Sequence, residues 1–338
     1  MPPVKSGRII VTAFGGPEVL KYVEEDLPEP GSAEVRVKIL AAGVAFADVL
    51  MRRNFYPGTP PLPFTPGYDL VGEIDALGKG VKQFAVGQRV GALIVRGAYS
   101  RFANVPEELL VPVPDSLDPA EAVCLILNYV TAYQMLHRIA KVSGGQRILI
   151  HGAAGGVGTA LLQLGALLGL TMYGTASKSK QQVVAAAGGI PIDYRDEDFS
   201  KRVRELSHEG VDAAFDPVGG RNWWRSYRLV RRGGALVCYG VSAVVAHGKI
   251  AGAGSFLLLE ILKRIPDGRR CGWYNITNLR KQHPEWFRED LKTLFDLLLQ
   301  RKIQPLIASR LPLRDAAKAN GLIEQAKVSG KIVLLCQE

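Results

Sequence analysis

Residues 147–169 read RILIHGAAGGVGTALLQLGALLG. An apolar strand runs straight into glycines and then into a stretch with the apolar spacing of a helix. In the pattern Gly152-x-x-Gly155-x-x-Gly158, with Gly156 and Val157 completing the turn, small residues let the backbone approach a pyrophosphate. The N-terminus of the following helix meets the pyrophosphate's charge. A glycine-rich turn alone often serves only tight packing, but strand, turn and helix together read as a dinucleotide-binding turn.

The next strand, LTMYGTAS at 170–177, ends where an NAD-preferring fold places an acid about 20 residues after the first glycine. No acid stands there. Gly174 is expected to leave room, and Ser177, Lys178 and Lys180 supply donors suited to a 2′-phosphate, so NADP (as NADPH) is expected over NAD. The same lysines also fit a solvated surface turn.

Working outward, residues 126–279 alternate apolar strands (RILIHG, LTMYGTA, IPIDY, VDAAFDPV, ALVCYG, CGWYNI) with helix-length segments. That order predicts an α/β fold, a Rossmann doubly wound parallel sheet with helices on both faces. Residues 1–125 carry short alternating runs (EVRVKIL, DLVGEIDALG, QRVGALI) between turn-forming glycines and prolines, which predicts a β-rich domain. Residues 280–338 begin with a helix near Pro284 and end in a strand, KIVLLC, and this tail is expected to complete the first domain. Two domains suit 338 residues, because single cores stop growing at roughly 250–300.

Composition excludes several classes. The first residues show no charged start followed by an apolar core and a cleavage site, so a secreted product is not expected and the cytoplasm is. No window supplies the roughly 20 apolar residues of a membrane span. Cys124, Cys238, Cys271 and Cys336 are scattered, without the spacing of a zinc ribbon or a redox dithiol. The histidines His137, His151, His208, His247 and His283 show no metal-ligand spacing, and read as structural or exposed. The net charge of +10 is spread among acids instead of forming a block, so no nucleic-acid partner is expected.

The stretches AAGVAFADVLMRRNFYP, LPFTPGYDLVGEIDALGKGV, VGQRV, LNYVTAY and HGAAGGVG, in this order, resemble the medium-chain dehydrogenase/reductase superfamily. Within it they are most similar to the zinc-independent quinone oxidoreductase (zeta-crystallin-like) branch. The resemblance implies a GroES-like catalytic domain beside the Rossmann domain, and a homodimer formed through the last Rossmann strand, CGWYNI. Zinc-using members place a Cys and a Gly-His-Glu where this chain has Ala45 and Gly67-Tyr68-Asp69, so the resemblance implies no metal; a catalytic zinc normally needs three protein ligands. The sequence departs from many zinc-free relatives at Ala45, where they carry Asn, and at Asn54, where they carry Gly. Carried over residue by residue, the likeness places Asn128 and Thr131 by the nicotinamide, with Asn128 also lining the substrate pocket. It sets Tyr194 at the adenosine phosphate and Gly240, Val241 and Ser242 at the nicotinamide end. Lys331 is expected to reach the cofactor.

Hydride transfer belongs to a nicotinamide, so the protein must position an acceptor and stabilise the charge that develops on it. For a quinone or an α,β-unsaturated carbonyl (enone), Tyr56 is the first candidate donor and Tyr68 the second, while Phe46 and Phe64 would wall a small apolar carbonyl or quinone substrate. A carbonyl reductase or a biosynthetic-pathway reductase of the same fold is an alternative. A further alternative comes from VSAVVAHGKIAGAGSFLLLEILKRIPDGRR, 241–270, where Leu258, Ile261, Leu262 and Ile265 recur at helical spacing beside Lys263 and Arg264, a stripe that reads first as core or interface packing and otherwise as a cover over the active site or a basic amphipathic helix on a membrane surface. This stretch, with the residues after it, is similar to the vesicle amine transport branch. That likeness implies a lipid- or membrane-associated nucleotide-binding protein with peripheral membrane contact.

Overall fold

The computed structural model describes residues 5–337; the side chains of Ala246, His247 and Lys249 lie outside that description. Contacts divide the chain into two units. One runs through Leu127 and resumes at Leu291, and the other is Asn128–Asp290.

The first unit opens with a two-stranded antiparallel ribbon, β1 (Lys5–Val11) and β2 (Leu20–Asp26). Five further strands follow: β3 (Glu34–Val44), β4 (Asp69–Leu77), β5 (Arg89–Leu93), β6 (Phe102–Pro106) and β7 (Leu110–Pro112). β3 pairs antiparallel with β4 and β6, β4 with β5, and β5 with β7. The period of two in β3 decides its faces: Val35, Val37 and Ile39 are fully buried, while Arg36 and Lys38 between them are not. Helix α1 (Phe46–Arg52) leaves the end of β3. Helix α2 (Pro119–Cys124) starts at an Asp118 cap whose carboxylate accepts the Glu121 N–H at 2.9 Å, with proline in its first turn.

The second unit contains α3 (Val130–Gln134), β8 (Arg147–Ile150), α4 (Gly156–Leu167), β9 (Thr171–Ala176), α5 (Gln181–Ala186) and β10 (Ile190–Asp193). It continues through α6 (Phe199–Ser207), β11 (Val211–Asp216), α7 (Arg221–Tyr227), β12 (Val230–Cys238), α8 (Val244–Leu262), β13 (Arg270–Trp273) and α9 (Ile276–Gln282). The sheet order is β10-β9-β8-β11-β12-β13 and every pairing is parallel. The chain winds outward from β8 one way and then the other, so the order reverses between β8 and β11, the place where this architecture binds ligands. Ile148, Leu149 and Ile150 of β8 are all fully buried, as helices on both faces require.

Helix α8 packs most of its apolar stripe into the core. Gly248, at φ 77°, interrupts it. Beyond that break, Leu259 and Leu262 are buried in the unit's own core, and Leu258 and Ile265 pack partly against it. Phe256 sits edge-on to Trp223 and Trp273 at 6.1 and 5.0 Å. The stripe seen in sequence therefore closes a core. The apolar side chains left outside are Ile250, Leu257 and Ile261, at 89, 66 and 52% exposure.

The tail comprises α10 (Pro284–Leu299), β14 (Ile307–Pro312), α11 (Ala316–Glu324) and β15 (Lys331–Leu335). β15 adds antiparallel to β3, with Ile332 opposite Val44, and β14 adds parallel to β15. At the start of β15, Lys331 Nζ lies 3.2 and 3.4 Å from the two carboxylate oxygens of Asp69, with both side chains buried. Gly43 makes the space. A Cβ there would stand 2.5 Å from Lys331 Cε and 2.6 Å from the Asp69 carboxylate. Burial pushes the Asp69 carboxyl above its ordinary range even though Lys331 pulls it down.

Removing one partner of such a pair strands a buried charge, at a cost of about 3–5 kcal/mol. Lys331→Met is therefore expected to lose roughly that much in urea-induced unfolding, and adding Asp69→Leu should recover most of it. A single variant as stable as the parent would show the pair to be idle.

Candidate functional site

The turn after β8 is built by what its glycines lack. Gly152 takes φ 64°, and Gly155, extended, stands before the first helical residue, Gly156. A Cβ on Gly158 would meet the Gly152 carbonyl oxygen at 2.3 Å and Ala153 Cα at 2.6 Å, both backbone. Helix and turn can touch only through glycine here. The first turn of α4 has no acidic residue and no side-chain cap, so the N–H groups around Gly156, Val157 and Gly158 face outward with the positive end of the helix behind them.

Beyond β9, Ser177, Lys178 and Lys180 occupy one short turn. Gly174 does not leave room there. The position of its missing Cβ is filled by Val184 and by Ala153, at 2.6 and 2.8 Å, so this glycine packs α5 and the turn onto the strand. Tyr194 follows β10 half-exposed, with the Arg195 guanidinium 5.8 Å from its ring centroid. Burial and the neighbouring Arg195 charge both lower the Lys180 pKa. Neither Lys178 nor Arg195 has an ion-pair partner among the described residues, although the Arg195 N–H donates to the Asp193 carboxylate at 3.0 Å. The sequence reading passed over Arg195; its signal was its place two residues after a strand end in the same sheet.

His151, between β8 and Gly152, organises the ends of three strands. The Ser226 hydroxyl donates to Asp216 Oδ2 at 2.8 Å, so it can only accept from His151 Nε2–H at 2.9 Å. Nδ1 then accepts from the Thr175 hydroxyl at 3.1 Å. Asn222 Nδ2 and the Val218 N–H complete the Asp216 carboxylate at 2.7 and 2.8 Å. Burial lowers the His151 pKa and keeps the ring neutral. Although Ser, His and Asp meet here, the serine gives its proton to the aspartate and all three are buried, which makes this a brace and not a nucleophile. The loop of Gly240, Val241 and Ser242 is tied to it, because Ser242 N–H donates to the Pro217 carbonyl at 2.9 Å. Asn128, in the wide turn Leu125–Tyr129, and Thr131 in α3 are buried in the second unit.

In the first unit, Tyr56 and Tyr68 meet hydroxyl to hydroxyl at 2.8 Å, their rings 74° apart. Burial, and then the Tyr68 neighbour, push the Tyr56 pKa upward, so it is a neutral hydroxyl at physiological pH. Asp48 sets their frame. Its carboxylate accepts the Ala45 N–H at 2.8 Å, the Gly67 N–H at 3.0 Å and the Tyr99 hydroxyl at 2.9 Å, tying the start of α1 to the residue before Tyr68. Burial outweighs these bonds and pushes the Asp48 carboxyl up to about 6. Phe46 begins α1, and Phe64 is buried where its carbonyl accepts the Val11 N–H. Lys331, expected at the cofactor, is paired with Asp69; a buried ammonium beside a carboxylate satisfies its charge there.

The comparisons agree with this geometry. Residues 31–115 match the alcohol dehydrogenase GroES-like domain and residues 189–334 the zinc-binding dehydrogenase family. A quinone oxidoreductase of Pseudomonas aeruginosa is 34% identical over 97% of this chain and 99% of its own. The chain belongs to the medium-chain dehydrogenase/reductase family. Within it, a rat protein described as synaptic vesicle membrane protein VAT-1 homolog is 32% identical over 99% of this chain and 84% of its own length. The solved structure of Escherichia coli quinone oxidoreductase complexed with NADPH superposes with a TM-score of 0.88, at 28% identity, covering 98% of this chain and all of that one. At the positions where zinc-using family members carry ligands, this member has Ala45, Tyr68 hydrogen-bonded to Tyr56, and Asp69 paired with Lys331. Among the described residues no three His, Cys, Asp or Glu side chains gather as a metal site.

Asp48 gives a test of the frame. A carboxyl whose folded value lies above its unfolded one stabilises the fold fully below the unfolded value and loses that contribution as pH rises through about 6. Measured against Asp48→Asn, which cannot titrate, the unfolding free energy should fall by about 3 kcal/mol between about pH 4 and pH 7. A flat difference would mean that Asp48 titrates as an exposed carboxylate does.

Proposed function

We propose that the protein is an NADPH-dependent reductase that passes hydride to a quinone or an enone without a metal. The observation that carries this reading is the end of β9, where no acid stands and Lys178 and Lys180 follow, with Arg195 beyond the neighbouring strand. An NAD-preferring site would set a carboxylate there, and a carboxylate would repel the 2′-phosphate.

The residues fit the cofactor. The Gly152–Gly158 turn, with Gly155, Gly156 and Val157, receives the pyrophosphate on the N–H groups of α4. Ser177, Lys178, Lys180 and Arg195 bind the 2′-phosphate, and Tyr194 lies against the adenosine. Asn128, Thr131 and the Gly240–Ser242 loop hold the nicotinamide end. NADPH supplies the hydride when bound. Tyr56 donates a hydrogen bond to the substrate oxygen as negative charge grows on it, and the Tyr68 hydroxyl donates in turn to the Tyr56 oxygen through their shared contact. Its raised pKa makes Tyr56 a neutral donor and not a poised acid. Phe46 and Phe64 wall an apolar substrate. A metal has no role, since Ala45 offers no lone pair and the Tyr68 hydroxyl and Asp69 carboxylate are engaged by Tyr56 and Lys331.

The same reading makes the working form a cytoplasmic homodimer, joined along β13, the last strand of its sheet. Among the described residues no helix is long and apolar enough to cross a membrane. A second reading, peripheral lipid binding, is favoured by the exposed Ile250, Leu257 and Ile261 on α8. Its test is co-sedimentation with phosphatidylserine vesicles at high salt. Binding that is lost on changing Leu257 and Ile261 to Glu would establish it.

Two variants test the reductase. Losing a hydrogen bond aimed at developing charge costs on the order of 100-fold in turnover, so Tyr56→Phe should lower kcat by about that factor with KM little changed. Changing Lys180 and Arg195 together to alanine should raise the KM for NADPH by about tenfold or more while leaving that for NADH alone. Product identity separates the chemistries. A saturated ketone means alkene reduction, an alcohol means carbonyl reduction and a hydroquinone means quinone reduction.

A further inference from the structure

A shallow, open depression of about 430 Å³ lies on the first unit, lined by Pro60, Pro61, Pro63, Phe64, Thr65, Arg96 and Gly97. Its volume falls within the range of small-molecule sites, roughly 300–1,000 Å³. Its walls are apolar and stiff, being mainly proline rings and one phenylalanine. The pocket shares a scaffold with the hydroxyl pair. The Tyr68 carbonyl accepts the N–H groups of Ile94 and Val95 at 2.9 and 3.0 Å, and Gly97 N–H donates to the Thr65 carbonyl at 2.9 Å. Arg96 thus leaves the chain directly after the two residues that fix Tyr68.

The polar side chains on this wall are all donors. Arg96 is exposed and has no hydrogen-bond or ion-pair partner among the described residues. The Thr65 hydroxyl accepts from Arg8 Nη1 at 3.2 Å and keeps its own proton to donate. No acid or amide lines the pocket to answer them. A guanidinium with a neighbouring hydroxyl donor, set among proline and aromatic faces, matches a planar apolar molecule that ends in a carboxylate.

We propose that this pocket is a substrate subsite for the carboxylate end of a planar, unsaturated acid, with Arg96 as its specificity-determining residue and Thr65 as the second donor. The assignment to substrate rests on the reductase reading above; the pocket's affinity for a carboxylate does not.

The experiment has two arms on the full chain. In the first, calorimetric titration with cinnamate and with its neutral amide, cinnamamide, reads the pocket alone. Cinnamate is expected to bind more tightly than cinnamamide, and Arg96→Gln should weaken cinnamate by about tenfold or more while leaving cinnamamide unchanged. Thr65→Val should weaken it by a smaller factor. Equal affinity for acid and amide, or cinnamate binding indifferent to Arg96→Gln, would overturn the proposal. In the second arm, KM is compared for an enone carrying a carboxylate and for its methyl ester. Arg96→Gln should raise the first and not the second, with kcat for the ester preserved; a KM for the acid that ignores the substitution would overturn the substrate assignment. A protein that reduces neither enone would sink the reductase reading, and the titration would still decide the pocket.

Discussion

The contact between Gly158 and the carbonyl of Gly152 is the constraint on which the dinucleotide half of this molecule depends. Because no side chain intervenes, α4 closes onto the end of β8 and presents its positive end at the reversal point of the sheet. From there the parallel order sets the ends of β9, β11 and β12 around the same spot, and each carries a segment with work to do there. The cations follow β9 and β10, the Asp216 brace ends β11, and the Gly240–Ser242 loop follows β12. His151 joins these pieces. It is neutral, single in its tautomer and buried, so it fixes geometry without adding charge beside a polyanion site.

The first unit solves a different problem. Hydrogen bonds and one buried ion pair hold its frame. Asp48 gathers two backbone N–H groups and a tyrosine hydroxyl, which orients Gly67 and so Tyr68. Lys331 and Asp69, 262 positions apart, pin the returning tail to the body of the unit through the gap that Gly43 leaves. The outcome is a pair of phenolic hydroxyls on a rigid frame, with chemistry limited to donating a hydrogen bond or a proton.

What could be read in the sequence was whatever depended on local order. The strand, glycine turn and helix at 147–169, the alternating strands that build the Rossmann sheet and the period of two in β3 each leave their mark within a few residues, and each formed where it was read. Partnership over long distance left no such mark. Nothing near Lys331 in the sequence announces its pairing with Asp69. Gly174 looked like space because its filling, Val184 and Ala153, arrives from other elements. The apolar stripe of α8 was visible, but which of its residues face the core depends on Trp223 and Trp273, outside the helix. Arg195 and the His151 brace were missed for the same reason, since their meaning lies in strands that become neighbours only in the folded sheet.

The most direct test of the central claim follows nicotinamide fluorescence while the unmodified protein is titrated with NADPH and, separately, with NADH at one ionic strength. Saturable binding of NADPH, tighter than that of NADH by about tenfold or more, is the result that the cations Lys178, Lys180 and Arg195 require. Equal affinity for the two nucleotides would remove that cluster from cofactor recognition, and binding of neither would contradict the account of this protein as a reductase.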